Sequence, residues 1–465
     1  MDESIRALLR PESVALVGAS ANPEKLSNIA LRNLVGGRFR IYPVNPKEAE
    51  ILGMRCYPRV SDIPESVDLA VISLPAADVV NPVVDCVKAG VKVVIISSSG
   101  FRETGPEGAA LEAEVMDIIR GSGTRVLGPN TMGVLVPETG LDTFFISRTR
   151  SPRPGPGHVA LISQSGAVSV AFLEKARLAG VGISASIGLG NRSDIDESEL
   201  MRYLASYEAT RCIALYLESF RDGRSFVQAA REISPNRPLV ALKSGRTPSG
   251  SRAAESHTGS LASMSDGPVD GALRQAGVVR AYDEEDLLDV AKALARVDHI
   301  EGDRICVVAS AGGFGVVAAD LVEASDHGMD MSMAVLSDET QRALKAVTPP
   351  FSSVRNPVDL TSGVTNEMYD SVLEVLQRDD GVDCIMMSLE LQPPNVTDGL
   401  IEVAKNRSSQ GRTPIVVSAF GGERTDEVLR ILESNGIAAY PTIRRALRAI
   451  SALAERGAFL TNLNR

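Results

Sequence analysis

A doubly wound α/β architecture, repeated three times, is what this sequence predicts. The first observation is a shared grammar: a buried-strand run, a turn of small residues, then helical periodicity. It recurs at Val14-Ala15-Leu16-Val17-Gly18-Ala19-Ser20, at Val159-Ala160-Leu161-Ile162-Ser163-Gln164-Ser165-Gly166, and at Ile305-Cys306-Val307-Val308-Ala309-Ser310-Ala311-Gly312-Gly313-Phe314-Gly315. The starts lie roughly 145 residues apart, about one α/β domain each. The second observation is the set of short apolar runs between them: 69–73, 91–96, 212–217, 238–242, 384–387 and 414–417. Strands that are apolar without alternation, separated by helical patterns, imply parallel sheets covered on both faces. Ligands of such sheets bind beyond the carboxyl ends of the strands.

The three expected domains, Rossmann- or flavodoxin-like, cover residues 1–130, 131–298 and 299–465. Two stretches read as linkers: the Pro- and Gly-rich 148–157, and His299-Ile300-Glu301-Gly302-Asp303. At 465 residues, with 44% hydrophobic and 23% charged residues, the chain has material for large cores without covalent staples. A net charge of -11 and the lack of a basic stripe disfavour nucleic acid as a partner. Aromatics are only 4%, with no Trp, which argues against base-stacking platforms and membrane-interface belts. No apolar run approaches the ~20 residues that span a bilayer, and the N-terminal residues show no signal-peptide pattern. Cys56, Cys86, Cys212, Cys306 and Cys384 are dispersed, without CxxC spacing. They read as buried free thiols of a reducing, cytoplasmic compartment rather than as disulfides or a zinc site.

In the first domain, Gly18-Ala19-Ser20 follows the first strand, where backbone amides at a strand-to-helix turn can cradle phosphate. Asn22 and Lys25 add a donor and a positive charge. The second strand ends at Tyr42-Pro43-Val44-Asn45-Pro46-Lys47, where a Rossmann domain reads its ribose. An acidic residue there would favour NAD; Asn45 and Lys47 suit a phosphorylated ribose instead, and the G-x-G-x-x-G fingerprint is missing. A nucleotide other than a dinucleotide fits, and so does a bare turn without ligand. Gly128-Pro129-Asn130 closes this sheet as a turn, with Asn130 offering donor and acceptor.

Ser163-Gln164-Ser165-Gly166 opens one helix and Gly312-Gly313-Phe314-Gly315 another. Both turns suit an inorganic phosphate at a helix N-terminus, and both also suit any strand-to-helix connection. Glu218 ends the strand Ala214–Leu217, where a carboxylate can orient an imidazole or simply cap a helix. The most informative segment is Glu255-Ser256-His257-Thr258-Gly259-Ser260-Leu261, preceded by Lys243-Ser244-Gly245-Arg246-Thr247-Pro248-Ser249-Gly250. This composition reads as a long Gly- and Ser-rich loop with one imidazole near its tip. Histidine there can serve as proton carrier, metal ligand or nucleophile. No second His, Cys or acidic pair with ligand spacing stands beside it, so a metal is not expected. A surface histidine on a flexible loop fits equally. His158, His299 and His327 lie at element edges and read as structural. Asp283-Glu284-Glu285-Asp286 reads as the acidic first turn of a helix.

Taken in order, these segments resemble the nucleoside-diphosphate-forming (ADP-forming) acyl-CoA synthetases, relatives of succinyl-CoA synthetase. The set is Gly18-Ala19-Ser20, Gly128-Pro129-Asn130, Ser163-Gln164-Ser165-Gly166, Ile187-Gly188-Leu189-Gly190-Asn191, Leu217-Glu218, Ser256-His257-Thr258-Gly259-Ser260-Leu261, residues 310–320, and Asn356-Pro357-Val358-Asp359-Leu360. It spans essentially the whole chain and looks most like the α subunit of the ADP-forming acetate–CoA ligase group. The departure is Ser263, where the family motif often has Gly after Ala262.

The resemblance implies a CoA-binding domain, a phosphohistidine domain and a third, ligase-CoA domain. It implies that coenzyme A lies on the first, near Gly18, Ala19, Ser20, Lys25, Val44, Asn45, Lys47 and Ile96, with its thioester toward Asn130. Phosphate would be held by Ser163, Gln164, Ser165, Gly166, Gly312, Gly313, Phe314 and Gly315. His257 would be the nucleophile and Glu218 its orienting carboxylate. No segment has the length and pattern of an ATP-grasp module. The resemblance therefore implies a separate β subunit, in an α2β2 assembly, supplying Mg and ADP or ATP. Two other classes stay open on the residues. One is a non-catalytic CoA or acyl-CoA sensor of the same fold; the other is a nicotinamide-dependent oxidoreductase, which the missing fingerprint and Asn45 weigh against. A protein acyltransferase would need an added domain, for which no segment is left over.

Overall fold

A computed structural model describes residues 3–258, 266–324 and 330–463, the stretch 254–258 in backbone only. The chain divides into two compact units, Met1–Arg177 with Gly182–Glu284, and Leu178–Val181 with Glu285–Arg465. Among the described residues, the first unit holds two large sheets and a small hairpin, and the second unit one sheet.

The first sheet begins with β1 (Ser13–Val17) and β2 (Arg40–Val44), followed by a small hairpin of β3 (Glu50–Ile51) and β4 (Met54–Arg55). It continues with β5 (Leu69–Ile72), β6 (Val93–Ile96) and β7 (Arg125–Leu127). The strand order is β2-β1-β5-β6-β7, all parallel. β1, β5 and β6 are buried along their whole length, as their unbroken apolar runs predict. The chain reverses its winding between β1 and β5, the topological switch where ligands of open α/β sheets bind.

The second sheet contains β8 (Val134–Val136), β9 (Leu141–Asp142), β10 (Pro156–Ser163), β11 (Ile183–Gly188), β12 (Cys212–Leu217), β13 (Leu239–Lys243) and β14 (Val278–Ala281). Its order is β14-β13-β12-β10-β11-β8-β9, parallel from β14 to β11, with β8 and β9 added antiparallel at one edge. Here the switch falls between β10 and β12. One continuous core joins both sheets of this unit, from Ile5 and Leu8 through Val134 and Val136 to Ile162, Leu215 and Leu217.

The stretch expected as a free linker, 148–157, is pinned rather than free. Asp142, with no exposed surface, accepts from Arg148 Nε at 3.0 Å and from Arg153 Nε at 3.2 Å. Arg148 also donates to the carbonyl of Asn33, whose side-chain amide holds the carbonyls of Phe144 and Ile146. A buried carboxylate needs such partners, and here two arginines of the proline-rich stretch supply them. Burial still pushes the Asp142 carboxyl above its ordinary range, with Arg153 and Arg148 pulling it back.

In the second unit, β15 (Arg304–Ala309) pairs with β16 (Ser332–Met333) at its start and with β17 (Val358–Asp359) at its end. On its other side lie β18 (Cys384–Leu389), β19 (Ile415–Ala419) and β20 (Ala439–Tyr440). The switch therefore falls between β15 and β18. The acidic run does open a helix, Glu284–Arg296, and Arg445 pairs with its Glu285 and Asp289. All five cysteines are buried, and none forms a disulfide. His158 Nδ1 lies 2.9 Å from the Ala209 carbonyl and His299 Nδ1 2.8 Å from Asp298; His327 is outside the described residues. No described helix is long and apolar enough to cross a membrane.

Candidate active site

At the first sheet's switch, Gly18 leaves β1 with φ +85°, and a Cβ there would sit 2.6 Å from the Ser73 carbonyl. Only glycine fits, so the turn that brings backbone amides to the strand end is built into the sequence. Ala19 is fully buried, and its carbonyl accepts from Asn45 Nδ2 at 2.7 Å, while Asn45 Oδ1 accepts from the Lys47 amide at 2.9 Å. Asn45 thus laces the ends of β1 and β2 together, and its polar atoms already serve the backbone. Ser20 Oγ accepts from the Asn22 amide and its carbonyl from Asn28. Lys25 and Lys47 are exposed. The side chains of Val44 and Ile96 belong to the core, so contact with a ligand there falls to their backbone. Asn130, at φ +57°, donates its amide to the Ser98 carbonyl at 2.8 Å, on the same carboxyl edge.

The second sheet's switch is more elaborate. Ser163 ends β10 beside Tyr216, and the helix Gly166–Leu178 starts at once. Ser163 Oγ accepts from the Ser165 amide, and Ser165 Oγ from the Val168 amide, which caps the helix. Gln164 reaches across to the end of β12: its Oε1 accepts from the amides of both Glu218 and Ser219. From the far side, Arg192 donates to the Ser219 carbonyl and hydroxyl, both at 2.8 Å. Arg192 is buried, sits at φ +57° and is balanced by the fully buried Glu197. Glu218 itself is 4% exposed, and Tyr216 Oη donates to its Oε1 at 3.4 Å. Glu218 is thus held through its own amide on one side and through its neighbour Ser219 on the other, the rigid support that a group orienting a reactant requires.

The neighbouring strand β13 places Lys243 opposite Leu217. Lys243 is 6% exposed, and burial holds its ammonium below the ordinary lysine range, opposed by the charge of Asp266, deepened by Arg280 and opposed again by Glu218. The composition after Lys243 predicts a loop; the structure instead forms a helix, Pro248–Thr258. Thr247 starts it, accepting the Gly250 amide on Oγ1 at 3.1 Å and the Ser251 amide on its carbonyl at 2.8 Å. Pro248 takes the first helical position, where its missing N–H costs nothing. His257 lies in the last turn of this helix; its side chain, and residues 259–265, are outside the described part. The chain returns at the helix Asp266–Gln275, whose Asp266 and Asp270 pair with the buried Arg280.

The third sheet's switch repeats the plan. Gly312 opens the helix Gly312–Glu323 directly after β15, and Ser310 Oγ accepts the Glu390 amide at 2.9 Å, just past β18. A Cβ on Gly312 would meet Asp359 Oδ2 at 2.7 Å, so a carboxylate already stands at this turn.

Apart from His257, in the last turn of a helix, the site residues named from sequence fall at a strand end, in the turn that follows it or in the first turn of the next helix. Sequence reasoning missed Lys243 as a site residue, along with Arg192 and the clamp made by Gln164. A charged residue closing an apolar strand is the signal that would have found Lys243.

Three domain families match in order: a CoA binding domain over residues 12–137, a succinyl-CoA ligase like flavodoxin domain over 156–294 and a Ligase-CoA domain over 305–456. The α subunit of the ADP-forming acetate–CoA ligase I of Pyrococcus furiosus is 38% identical, the match covering 97% of each chain. The ADP-forming acetate–CoA ligase I of Archaeoglobus fulgidus is also 38% identical, over 96% of this chain but only 63% of its own longer one. Among solved structures, the dinucleotide forming acetyl-coenzyme A synthetase 1 of Ca. Korarchaeum cryptofilum, in complex with phosphate and ADP, superposes with a TM-score of 0.90. Its identity is 33%, with both chains covered completely. The chain belongs to the family of ADP-forming acetate–CoA ligases, acid–thiol ligases, with the extent of their α subunits.

Proposed function

We propose that this chain is the α subunit of an ADP-forming acyl-CoA synthetase, which converts acyl-CoA, ADP and phosphate into carboxylic acid, CoA and ATP. The observation that carries the reading is the buried Glu218, clamped at the switch point of the second sheet in a chain that matches this family end to end.

In this reading CoA lies along the carboxyl edge of the first sheet. The turn Gly18–Ser20 and the exposed Lys25 and Lys47 meet its phosphates, and the thioester lies toward Asn130. Phosphate is held by the helix N-terminus at Ser163–Gly166, with the turn Gly312–Gly315 as the second candidate. An oxygen of hydrogen phosphate attacks the thioester carbonyl; the C–S bond breaks, the phosphate's proton passes to sulfur so that CoA leaves as its thiol, and an acyl phosphate remains. A His257 ring nitrogen then attacks phosphorus, the P–O bond to the acyl group breaks, and the carboxylate departs. Glu218 accepts a hydrogen bond from the N–H of the ring's other nitrogen and balances the positive charge that develops. Phosphohistidine next hands its phosphoryl group to ADP, and the imidazole returns to its resting form. ADP and its Mg belong to a partner chain, in this reading an ATP-grasp β subunit in an α2β2 assembly. The Archaeoglobus relative is longer, and more than a third of its own length lies outside the match, where such a module has room.

The test is phosphorylation of the purified chain by labelled phosphate and acetyl-CoA. The expected product is acid-labile and base-stable label that His257→Ala abolishes while CoA binding stays intact. Label retained in H257A would sink the assignment, and CoA binding without label in any protein would favour a sensor.

A further inference from the structure

Lys243 poses an electrostatic problem that the described residues leave unsolved. Its ammonium is nearly buried, yet its hydrogen bond among the described residues goes to the carbonyl of its neighbour, Ser244. No described carboxylate lies within ion-pair distance. The acids whose charge reaches it are engaged elsewhere. Asp266 pairs with Arg280 and Arg246, and Glu218 accepts from Tyr216. A desolvated cation without a paired anion costs free energy unless its site receives one. The position says which anion. Lys243 closes β13, and only β12 stands between it and β10, whose turn at Ser163–Gly166 begins a helix at the switch point.

We propose that Lys243 is a phosphate-binding residue: its ammonium holds an oxygen of inorganic phosphate, and of the phosphoryl group in transit, beside Glu218. This rests on the phosphohistidine reading above. Lysine suits the task because it is a compact point charge that follows an oxyanion as it moves. It also offsets the repulsion between a dianionic phosphate and the carboxylate that orients the imidazole. The fold thus places one cation and one carboxylate at neighbouring strand ends, the first for the group being transferred and the second for its acceptor.

The experiment follows phosphorylation of the full chain by acetyl-CoA and labelled phosphate, partner chain present, as the phosphate concentration is varied. In K243M the phosphate concentration for half-maximal rate should rise by about tenfold or more, the loss of a hydrogen bond to a charged group. The acetyl-CoA dependence should stay within about twofold, and K243R should keep phosphate dependence within about threefold of wild type. If K243M does not fold, K243Q against K243R gives the same contrast between neutral and charged side chains. A neutral variant with unchanged phosphate dependence, in a wild type that takes label on His257, would overturn the role of Lys243 alone. A wild type that takes no label on His257 would overturn the phosphohistidine reading itself.

Discussion

At the switch point of the second sheet Gln164 accepts the backbone amides of Glu218 and Ser219; at that of the third sheet Ser310 accepts the amide of Glu390. Both turns open a helix at glycine, and in both a glutamate follows the strand across the switch. Their charges differ. The second sheet brings the buried Lys243 to its edge, whereas the third brings Asp359, whose Oδ2 stands where a side chain on Gly312 would begin. A glycine turn before a helix is therefore a permissive scaffold, and the residues at the ends of neighbouring strands decide what it can hold. On the reading proposed above, Lys243 favours an anion at the second sheet's turn, and Asp359 disfavours one at the third's.

The sharpest way to break this comparison is to remove each glutamate. Glu218→Ala should slow phosphorylation from acetyl-CoA and phosphate by about 10²–10⁴-fold, the range for losing a group that orients or exchanges a proton with the reacting base. Glu390→Ala should change the same rate by less than about threefold. Single-turnover labelling measures both. Equal losses would mean that the two switch points share the work, and that their difference in charge is not a difference in role.

A smaller effect is expected from the clamps. Gln164→Met keeps the side chain's bulk and removes its oxygen, leaving two strand-end amides without their acceptor. The cost should be about 1–3 kcal/mol per buried group left unpaired. Ser310→Ala strands one amide and should cost about 1 kcal/mol. Urea unfolding gives both values. Gln164→Met should also slow phosphorylation, since the Glu218 amide loses its acceptor and only the Arg192 contact with Ser219 remains. Full activity in a destabilised Q164M would show that Arg192 suffices to hold Glu218.

What could be read from the chain depended on whether its cause was local. Val14–Val17, Val159–Ile162 and Ile305–Ala309 announce buried parallel strands by their own composition, and Gly18, Gly166 and Gly312 announce the turns. The helix at Pro248 was legible in principle from Thr247-Pro248, a capping residue before proline, but the surrounding Ser and Gly argued for a loop. Residues 148–157 looked like a linker because nothing local reveals that Asp142 is buried and needs two arginines. The Gln164 clamp was hidden for the same reason. It exists only because the register sets Ser163 beside Tyr216, 53 positions along the chain, and sequence pattern carries no register between distant parallel strands. Lys243 gained its meaning only when β13 was laid against β12.

The smallest expected effect bears on the third sheet alone. Asp359 accepts the Thr361 amide at 2.9 Å through Oδ1, and its Oδ2 faces the start of the Gly312–Glu323 helix. If that turn takes part in holding phosphate, the carboxylate opposes it, and Asp359→Asn should lower the half-saturating phosphate concentration. A charge at a helix N-terminus is worth about 0.3–1 kcal/mol, which corresponds to about 2–5-fold. The asparagine keeps an oxygen for the Thr361 amide, so the loop should survive the change. An unchanged phosphate dependence would rule out Gly312–Gly315 as a phosphate-binding turn and leave the turn Ser163–Gly166 and Lys243 as the candidates. A weaker phosphate affinity in D359N would reverse the sign of the argument. It would mean that the carboxylate works with the phosphate, through a shared proton or a bound cation, rather than against it.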